Sequence, residues 1–458
     1  MFKKIRHIHL VGIGGTGMSG IAEVLINLGY KVSGSDVKET SVTRRLQDMG
    51  GVVYEGHDNA NIAGADVVVV STAIEEDNPE VEEARVNTIP VIPRAEMLAE
   101  LMRLKYSVII TGTHGKTTTT SMTGLLLAHN GLDPTVVIGG KLKNFGSNAK
   151  LGKGDFLIAE GDESDGSFLK LTPTIAVVTN IDSDHLDHYG NINKIRKAFL
   201  EFVNKVPFYG TVIVCSDDVE TRKIIRKIKR KYITYGIKKK ADIVACDIVT
   251  SSFETQFNLK CSGKKMGSIK LSVPGIHNVY NALAAIAVAM ELDVSVDNIR
   301  EGFSDFSGVE RRIEMKGDIN GVIVIDDYAH HPTEIKATLD ALRGSCKKRL
   351  IAVFQPHRFS RTKLLAKDFG TAFDAADVVV VTDIYPAGEK PIPGVSAQLI
   401  KESIEAHNHK EVEFFSSSNE IVEFISGYTE PGDVVLTLGA GDVWKIGESL
   451  LENLRVKV

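Results

Sequence analysis

Three times along the chain, an apolar run of strand length stops at glycines or polar residues and a helical pattern takes over. The restarts are "HIHLVGIGGTGMSG" from residue 7, "YSVIITGTHGKTTTT" from 106 and "GVIVIDDYAHHPTEI" from 321. Strands that alternate with helices pair in parallel, because each helix carries the chain back across the sheet. Further runs of the same kind follow each restart: "KVSGSD" (31–36) and "ADVVVVST" (65–72), then "DFLIAE" (155–160) and "IAVVTN" (175–180). The last third adds "RLIAVFQPHR" (349–358), "ADVVVVTDIY" (376–385) and "GDVVLTLGAGDV" (432–443). The pattern predicts an α/β chain of three domains, each with a mainly parallel sheet, over residues 1–103, 104–311 and 312–458. The first and third domains are expected to be Rossmann-like and the central one of the P-loop type. Residues 211–273, lysine-rich with short strands, are expected to form an antiparallel insertion, and "PGIHNVYNALAAIAVAMELD" (274–293) a helix.

Composition supports that scale. At roughly 100–200 residues per domain, a chain of 458 residues with 43% hydrophobic and 25% charged content can bury several ordinary cores. The net charge of −5 gives no general pull toward nucleic acid or anionic lipid, so an anionic substrate needs local basic groups. Four cysteines without a CxxC pair fit free thiols, not a disulfide framework or a zinc site. No apolar run reaches the ~20 residues of a membrane helix. The basic start breaks into glycines too early for a signal peptide. A soluble, cytoplasmic protein is expected.

The stretch "TGTHGKTTTT" (111–120) lies between a strand and a helix. A helix start presents unpaired N–H groups and partial positive charge, and glycines let backbone wrap phosphates. Lys116 can bridge β- and γ-phosphates, and the Thr117 hydroxyl can bind Mg²⁺. The loop is shorter than the usual Walker pattern, which has glycine where Ile110 stands. "VGIGGTG" (11–17) also fits G-x-G-x-x-G through Gly12, Gly14 and Gly17, with Asp36 downstream. Alone, it is read either as a dinucleotide loop or as a tight structural turn.

"AEGDESDGSF" (159–168) and "NIDSDHLDHYG" (180–190) follow two successive strands. Glu160 and His185, a carboxylate and an imidazole at strand ends, suit a divalent ion bridging phosphates. Asp162, Glu163, Asp165, Asp182 and Asp184 are read as solvated loop charges. In the last third, His330, His331, His357, Arg358 and Arg361 gather at two strand ends, with Arg311 and Arg312 just before. Arginine forks match carboxylate and phosphate oxygens. Arg358 and Arg361 are read as ligands of an anionic substrate, Thr333 and Glu334 as helix capping. No G-x-S-x-G, HExxH or kinase set is present, which leaves phosphoryl transfer and positioning as the chemistry.

The triple layout together with "GTHGKTTTT", "AEGDESD", "DHLDHYG", "GIHNVYNALAA", "GVERRIE", "DDYAHHPTEI" and "FQPHRFSRT" resembles the Mur ligases over about residues 5–450. "GIGGTGMSG", "STAI", "DDYAHHP", "FQPHR" and "PAGEKPIPGV" (386–395) resemble the branch that adds L-alanine. The resemblance implies ATP-dependent ligation of L-alanine to the carboxylate of UDP-N-acetylmuramate through an acyl phosphate, in peptidoglycan precursor synthesis. It implies UDP at Gly12, Gly14, Gly15 and Gly17, with Ser71 and Thr72 near the uridine. ATP is placed at Gly112, Thr113, His114, Gly115, Lys116, Thr117 and Thr118, with His277, Asn278 and Asn281 flanking adenine. Mg²⁺, or Mn²⁺ in its place, is held by Thr117, Glu160 and His185. Arg312, Tyr328 and His330 reach the nucleotide, and Arg358 and Arg361 the muramyl carboxylate or the alanine. Lys116, Glu160, His185, Arg358 and Arg361 form the implied catalytic set, in a monomer or homodimer.

The sequence departs from the family at Gly161, where alanine is usual, and neither Lys194 nor Lys197 aligns with the carbamylated lysine of sister ligases. Three other readings remain at this stage. One is a ligase that adds a preformed murein peptide to the same sugar nucleotide. The others are a P-loop ATPase without ligation and an NAD-binding regulator.

Overall fold

The computed structural model describes residues 5–71, 73–142, 147–251, 253–344, 346, 348–407 and 411–456. Thr72, placed near the uridine by resemblance, lies outside the described residues. Among the described residues the chain is α/β, with three sheets. They fall into two compact units: residues 1–247, 257–269 and 280–307 form one, and residues 248–256, 270–279 and 308–458 the other.

The first sheet has five parallel strands in the order Val52–Glu55, Lys31–Asp36, His7–Val11, Val67–Val70, Val91–Pro93. His7–Val11 is buried at every position, as a strand covered by helices on both faces must be. The strand order reverses between His7–Val11 and Val67–Val70. An open α/β sheet leaves a crevice at such a reversal, here between Gly12 and Ser71.

In the second sheet the strand Tyr106–Thr111 lies between Ile175–Val178 and Phe156–Glu160, parallel to both. The register sets Ile110 beside Glu160 and Thr111 beside Val178, so both acidic loops emerge next to the glycine loop. The helix Ile192–Asn204 covers this sheet. Its Phe199 and Phe202 pack on Phe168 at ring-centroid distances of 5.2 and 5.0 Å, all fully buried. Burial of each such ring stabilises by about 1.5–3 kcal/mol.

The expected antiparallel insertion is not what residues 211–236 form. Thr211–Cys215 and Lys231–Gly236 continue the parallel order, joined by the helix Val219–Ile225. Thr211–Cys215 is buried throughout, so its short apolar run is an interior strand and not a surface hairpin. The strands Ile243–Ser251, Glu254–Cys261 and Lys264–Leu271 then extend the sheet edge.

The third sheet runs Glu314–Ile319, Val322–Asp327, Val434–Leu438, Leu350–Phe354, Val378–Val381, Val412–Phe414. Only the first pair is antiparallel. The helices Pro332–Arg343 and Phe359–Phe369 follow Val322–Asp327 and Leu350–Phe354, so their first turns stand at the carboxyl edge.

Candidate active site

The glycine loop at 112–115 is bent by two positive φ angles, +132° at Gly112 and +82° at Gly115, which only glycine adopts cheaply. The helix Lys116–His129 starts directly after it, and Gly115 offers no side-chain cap. Its first amides are therefore open to an incoming anion. The next loop holds this one in place. Asn180 Oδ1 accepts from the His114 amide at 2.9 Å, and Asn180 Nδ2 and Thr179 Oγ1 donate to the His114 carbonyl at 2.9 and 2.6 Å. His114 Nε2 meets Asp182 Oδ2 at 3.1 Å, and the Asp182 amide donates to Thr113 Oγ1 at 2.9 Å.

Lys116 Nζ folds back over the loop. It donates to the carbonyls of Gly112 and Thr113 at 2.6 and 3.1 Å and to Glu163 Oε1 at 2.9 Å. Burial pulls the ammonium down, but Glu163, with Asp162 and Glu160 behind it, overrides burial and raises it. Lys116 is therefore charged across the physiological range. Burial likewise holds the Glu163 carboxyl above its usual range, against the pull of Lys116.

Glu163 corrects the sequence reading, which took it for a solvated loop charge. It is 2% exposed, its carbonyl accepts from Tyr189 Oη at 2.6 Å, and its Oε2 is buried without a hydrogen-bond partner. His185, held at φ +53°, brings Nε2 to 3.9 Å from Glu163 Oε1 and 3.5 Å from Asp184 Oδ2. The same reading of Asp162 and Asp182 is corrected too. Both are partly buried and paired, Asp162 with Arg94 and Asp182 with His114.

The structure thus gathers Lys116, Thr117, Glu160 and His185 around one loop and adds Glu163. An imidazole, a hydroxyl and the Glu160 carboxylate are a donor set of the kind that suits a hard divalent ion. Gly161, the departure from the family pattern, is tightly packed: a Cβ there would stand 2.9 Å from Ile109 Cγ2. From the long helix Ile276–Glu291, Asn281 accepts from Thr119 Oγ1 at 3.2 Å, and its Oδ1 would lie 2.4 Å from a Cβ on Gly115. Its amide group therefore touches the phosphate loop itself. Thr118 is buried within the first turn.

At the first glycine loop, the Gly12 and Ile13 amides donate to the Ser35 carbonyl at 2.9 and 3.0 Å, and the Gly14 amide to Asp36 Oδ2 at 2.8 Å. Asp36 therefore braces the loop. Gly15 precedes the helix Thr16–Asn27, and Ser71 lies opposite, 3.5 Å from a Cβ on Gly12. Gly17 is pressed by Arg94, whose Nη1 would be 2.6 Å from an added Cβ, while Arg94 Nη2 bonds Asp162 Oδ2 at 3.1 Å. Arg94 was missed in the sequence, although it follows a strand end in "VIPRAEM".

In the other unit, adjacent arginines separate in role. Arg311 donates to Asp326 Oδ2 at 2.8 Å and to the carbonyls of Gly441 and Gly439 at 3.0 and 2.6 Å. It is an anchor of the fold and not part of a substrate cluster. Arg312 lies over the Tyr328 ring at 5.3 Å, and its charge pulls on the buried Asp327, whose carboxyl burial pushes up to about 6. His277 is pushed down to about 4 by burial and by Arg312. Asn278 spends its amide on the Pro274 carbonyl at 2.7 Å.

His330, His357 and Tyr385 form a ring column, with centroid distances of 5.5 and 5.7 Å. Arg361 Nη1 lies 3.2 Å from His357 Nδ1, and Arg358 holds φ +70° just ahead of it. The helix at Pro332 is capped by His331 and Glu334, as read for Glu334; the capping side chain is His331 and not Thr333.

Comparison with known proteins assigns the chain to one family. Residues 7–106, 110–289 and 311–441 match, in turn, the models described as "Mur ligase family, catalytic domain", "Mur ligase middle domain" and "Mur ligase, glutamate ligase domain". A UDP-N-acetylmuramate–L-alanine ligase of Geobacter sp. (strain M21) is 55% identical over 99% of both chains, and one of Geobacter sulfurreducens 56% over 99% of both. The crystal structure of a UDP-N-acetylmuramate–alanine ligase from Thermotoga maritima superposes with a TM-score of 0.84 at 31% identity, covering 99% of this chain and 100% of that one. A murein peptide ligase from Psychrobacter arcticus gives 0.74 at 26%, covering 98% of each. Three family models and relatives covered over nearly their whole length agree, and the chain belongs to the Mur ligase family.

Proposed function

We propose that this protein joins L-alanine to the carboxylate of UDP-N-acetylmuramate, with cleavage of ATP to ADP and phosphate. The observation that carries the reading is the Lys116 cradle: a charged lysine over a glycine loop that opens a helix, ringed by Glu160, Glu163 and His185. In the proposed division, residues 1–103 hold the UDP group, 104–311 the ATP, and 312–458 the amino acid. No helix among the described residues is long and apolar enough to cross a membrane, which suits soluble substrates.

A carboxylate does not condense with an amine in water without a better leaving group. A muramyl carboxylate oxygen attacks the γ-phosphorus and ADP leaves, giving an acyl phosphate. The alanine amine then attacks the acyl carbon, loses a proton, and the tetrahedral adduct expels phosphate as the amide forms. Lys116 trades its carbonyl and Glu163 partners for phosphate oxygens and spreads their charge. Thr117, Glu160 and His185 would hold Mg²⁺ or Mn²⁺, which neutralises phosphate charge when bound. Asn281 steadies the loop from below. Arg358 and Arg361 orient a carboxylate, and Arg312 and Tyr328 present a cation and a ring face to the nucleotide.

Murein peptide ligases share the scaffold, as the Psychrobacter neighbour shows, so the amine is what separates the two activities. The test is phosphate release with ATP, Mg²⁺, UDP-N-acetylmuramate and each candidate amine, with the product weighed by mass spectrometry. Turnover that needs both the sugar nucleotide and L-alanine supports the proposal. Turnover with a tripeptide and not alanine, or with neither, overturns it.

A further inference from the structure

The segment "PAGEKPIPGV" sets this chain's last third apart in sequence, yet the proposed chemistry leaves it without a task. Its geometry is specific. Ala387 and Gly388 both take positive φ, +48° and +85°, and the Glu389 amide donates to the Pro386 carbonyl at 2.9 Å. Two left-handed residues inside such a bond make a tight reversal that favours glycine. The reversal aims Glu389 at the start of the helix Phe359–Phe369.

That helix has no cap of its own. Arg358 occupies the capping position with a side chain that only donates, and no side-chain cap bond is made there. Glu389 supplies the cap from 29 residues away: Oε2 accepts from the Ser360 amide at 3.0 Å and Oε1 from Ser360 Oγ at 2.6 Å. The same two segments are tied again by the Arg358 amide to the Tyr385 carbonyl at 2.9 Å and the Tyr385 amide to the Pro356 carbonyl at 2.8 Å. The stacked His357 and Tyr385 rings complete the clasp.

We infer that Glu389 is a positioning residue for the amino-acid site. Its carboxylate holds the first helical turn so that Arg358 keeps its left-handed backbone and Arg361 stays beside His357. It also occupies the positive helix end with a fixed anion, so that a free carboxylate is directed to the arginines and not to the helix amides. This rests on the reading that Arg358 and Arg361 take a carboxylate of the alanine or of its acceptor.

The experiment measures steady-state constants for ATP, UDP-N-acetylmuramate and L-alanine in the full chain with Glu389→Ala, Glu389→Gln and Arg361→Ala. Melting temperature is read in parallel. Loss of one charge-assisted bidentate cap predicts that Glu389→Ala raises KM for L-alanine about tenfold, with KM for ATP within about twofold. Glu389→Gln keeps one acceptor oxygen for Ser360 and recovers part of the loss. Equal decline of all constants, or a lower melting temperature with every KM unchanged, overturns the inference and leaves Glu389 a cap for stability only. If Arg361→Ala leaves both the alanine and sugar-nucleotide constants intact, the arginine reading itself fails, and that result is separate from the behaviour of Glu389.

Discussion

The ammonium of Lys116 lies 2.9 Å from a carboxylate oxygen of Glu163, a residue 47 positions away and 2% exposed. This acid holds the ammonium that is proposed to meet phosphate oxygens. It therefore competes with the ligand for Lys116. Glu163→Gln should lower stability by about 1–3 kcal/mol, since the buried ammonium loses a charged partner. ATP with Mg²⁺ should then raise the melting temperature by more than it does in the wild type. An equal or smaller ATP-induced rise would argue against the competition. Lys116→Ala should cut ligation about a hundredfold or more, the scale for loss of one transition-state donor; unchanged turnover would sink the proposed mechanism.

Gly112 has no room for a side chain. At φ +132°, a Cβ would stand 2.1 Å from Thr179 Oγ1, the hydroxyl that holds the His114 carbonyl. Gly112→Ala should weaken ATP binding more than about tenfold, because the loop must open to admit the methyl. Gly131, at φ +76°, has nothing within 4 Å of its Cβ. Gly131→Ala should cost only about 1 kcal/mol and leave nucleotide affinity intact. Titration with a fluorescent ATP analogue distinguishes the two.

The neighbours Arg311 and Arg312 should separate in mutation. Arg311 pairs with Asp326, which is fully buried and also accepts from Thr437 Oγ1 at 2.7 Å. Arg311→Ala should cost about 3–5 kcal/mol in urea unfolding, the loss expected when a buried carboxylate is left unpaired. Arg312→Ala should cost less stability than Arg311→Ala, because buried Asp327 keeps the Ile313 and Ala329 amides as donors, while raising KM for ATP. The reverse assignment would show that sequence adjacency misled the placement of the nucleotide contact.

His277 makes the fold pH-sensitive. Burial, helped by Arg312, puts its folded pKa at about 4, against 6.5 for an ordinary histidine. The unfolded chain therefore takes up this proton first as pH falls. The stabilising contribution is complete above about pH 6.5 and is lost on the way down to about 4, amounting to about 2 kcal/mol after allowance for the residue's partial exposure. Urea midpoints from pH 7.5 to 4.5 should fall less steeply in His277→Gln than in the wild type. Parallel curves would show that the imidazole is not the group responsible.

What the sequence determined by itself was local. Runs such as "VVVV" at 67–70 and 378–381 read as buried strands because only a covered parallel strand can be apolar at every position. The glycines at 112 and 115 read as a phosphate loop because their backbone angles are closed to other residues. Lys116, Thr117, Glu160 and His185 were singled out because each stands at a strand end or in the loop or first helical turn after one. The role of a charged side chain is not local. Glu163 and Asp165 share one acidic stretch, yet only tertiary packing buries the first against Lys116. Arg311 and Arg312 are adjacent and both lie over the Tyr328 ring, at 5.1 and 5.3 Å, yet strand Val322–Asp327 claims only the first through Asp326. Arg94 and Glu389 find their partners 68 and 29 residues away. Partners at such separations are set by sheet order and loop path, and a charge changes its meaning with desolvation, which no single segment of sequence carries.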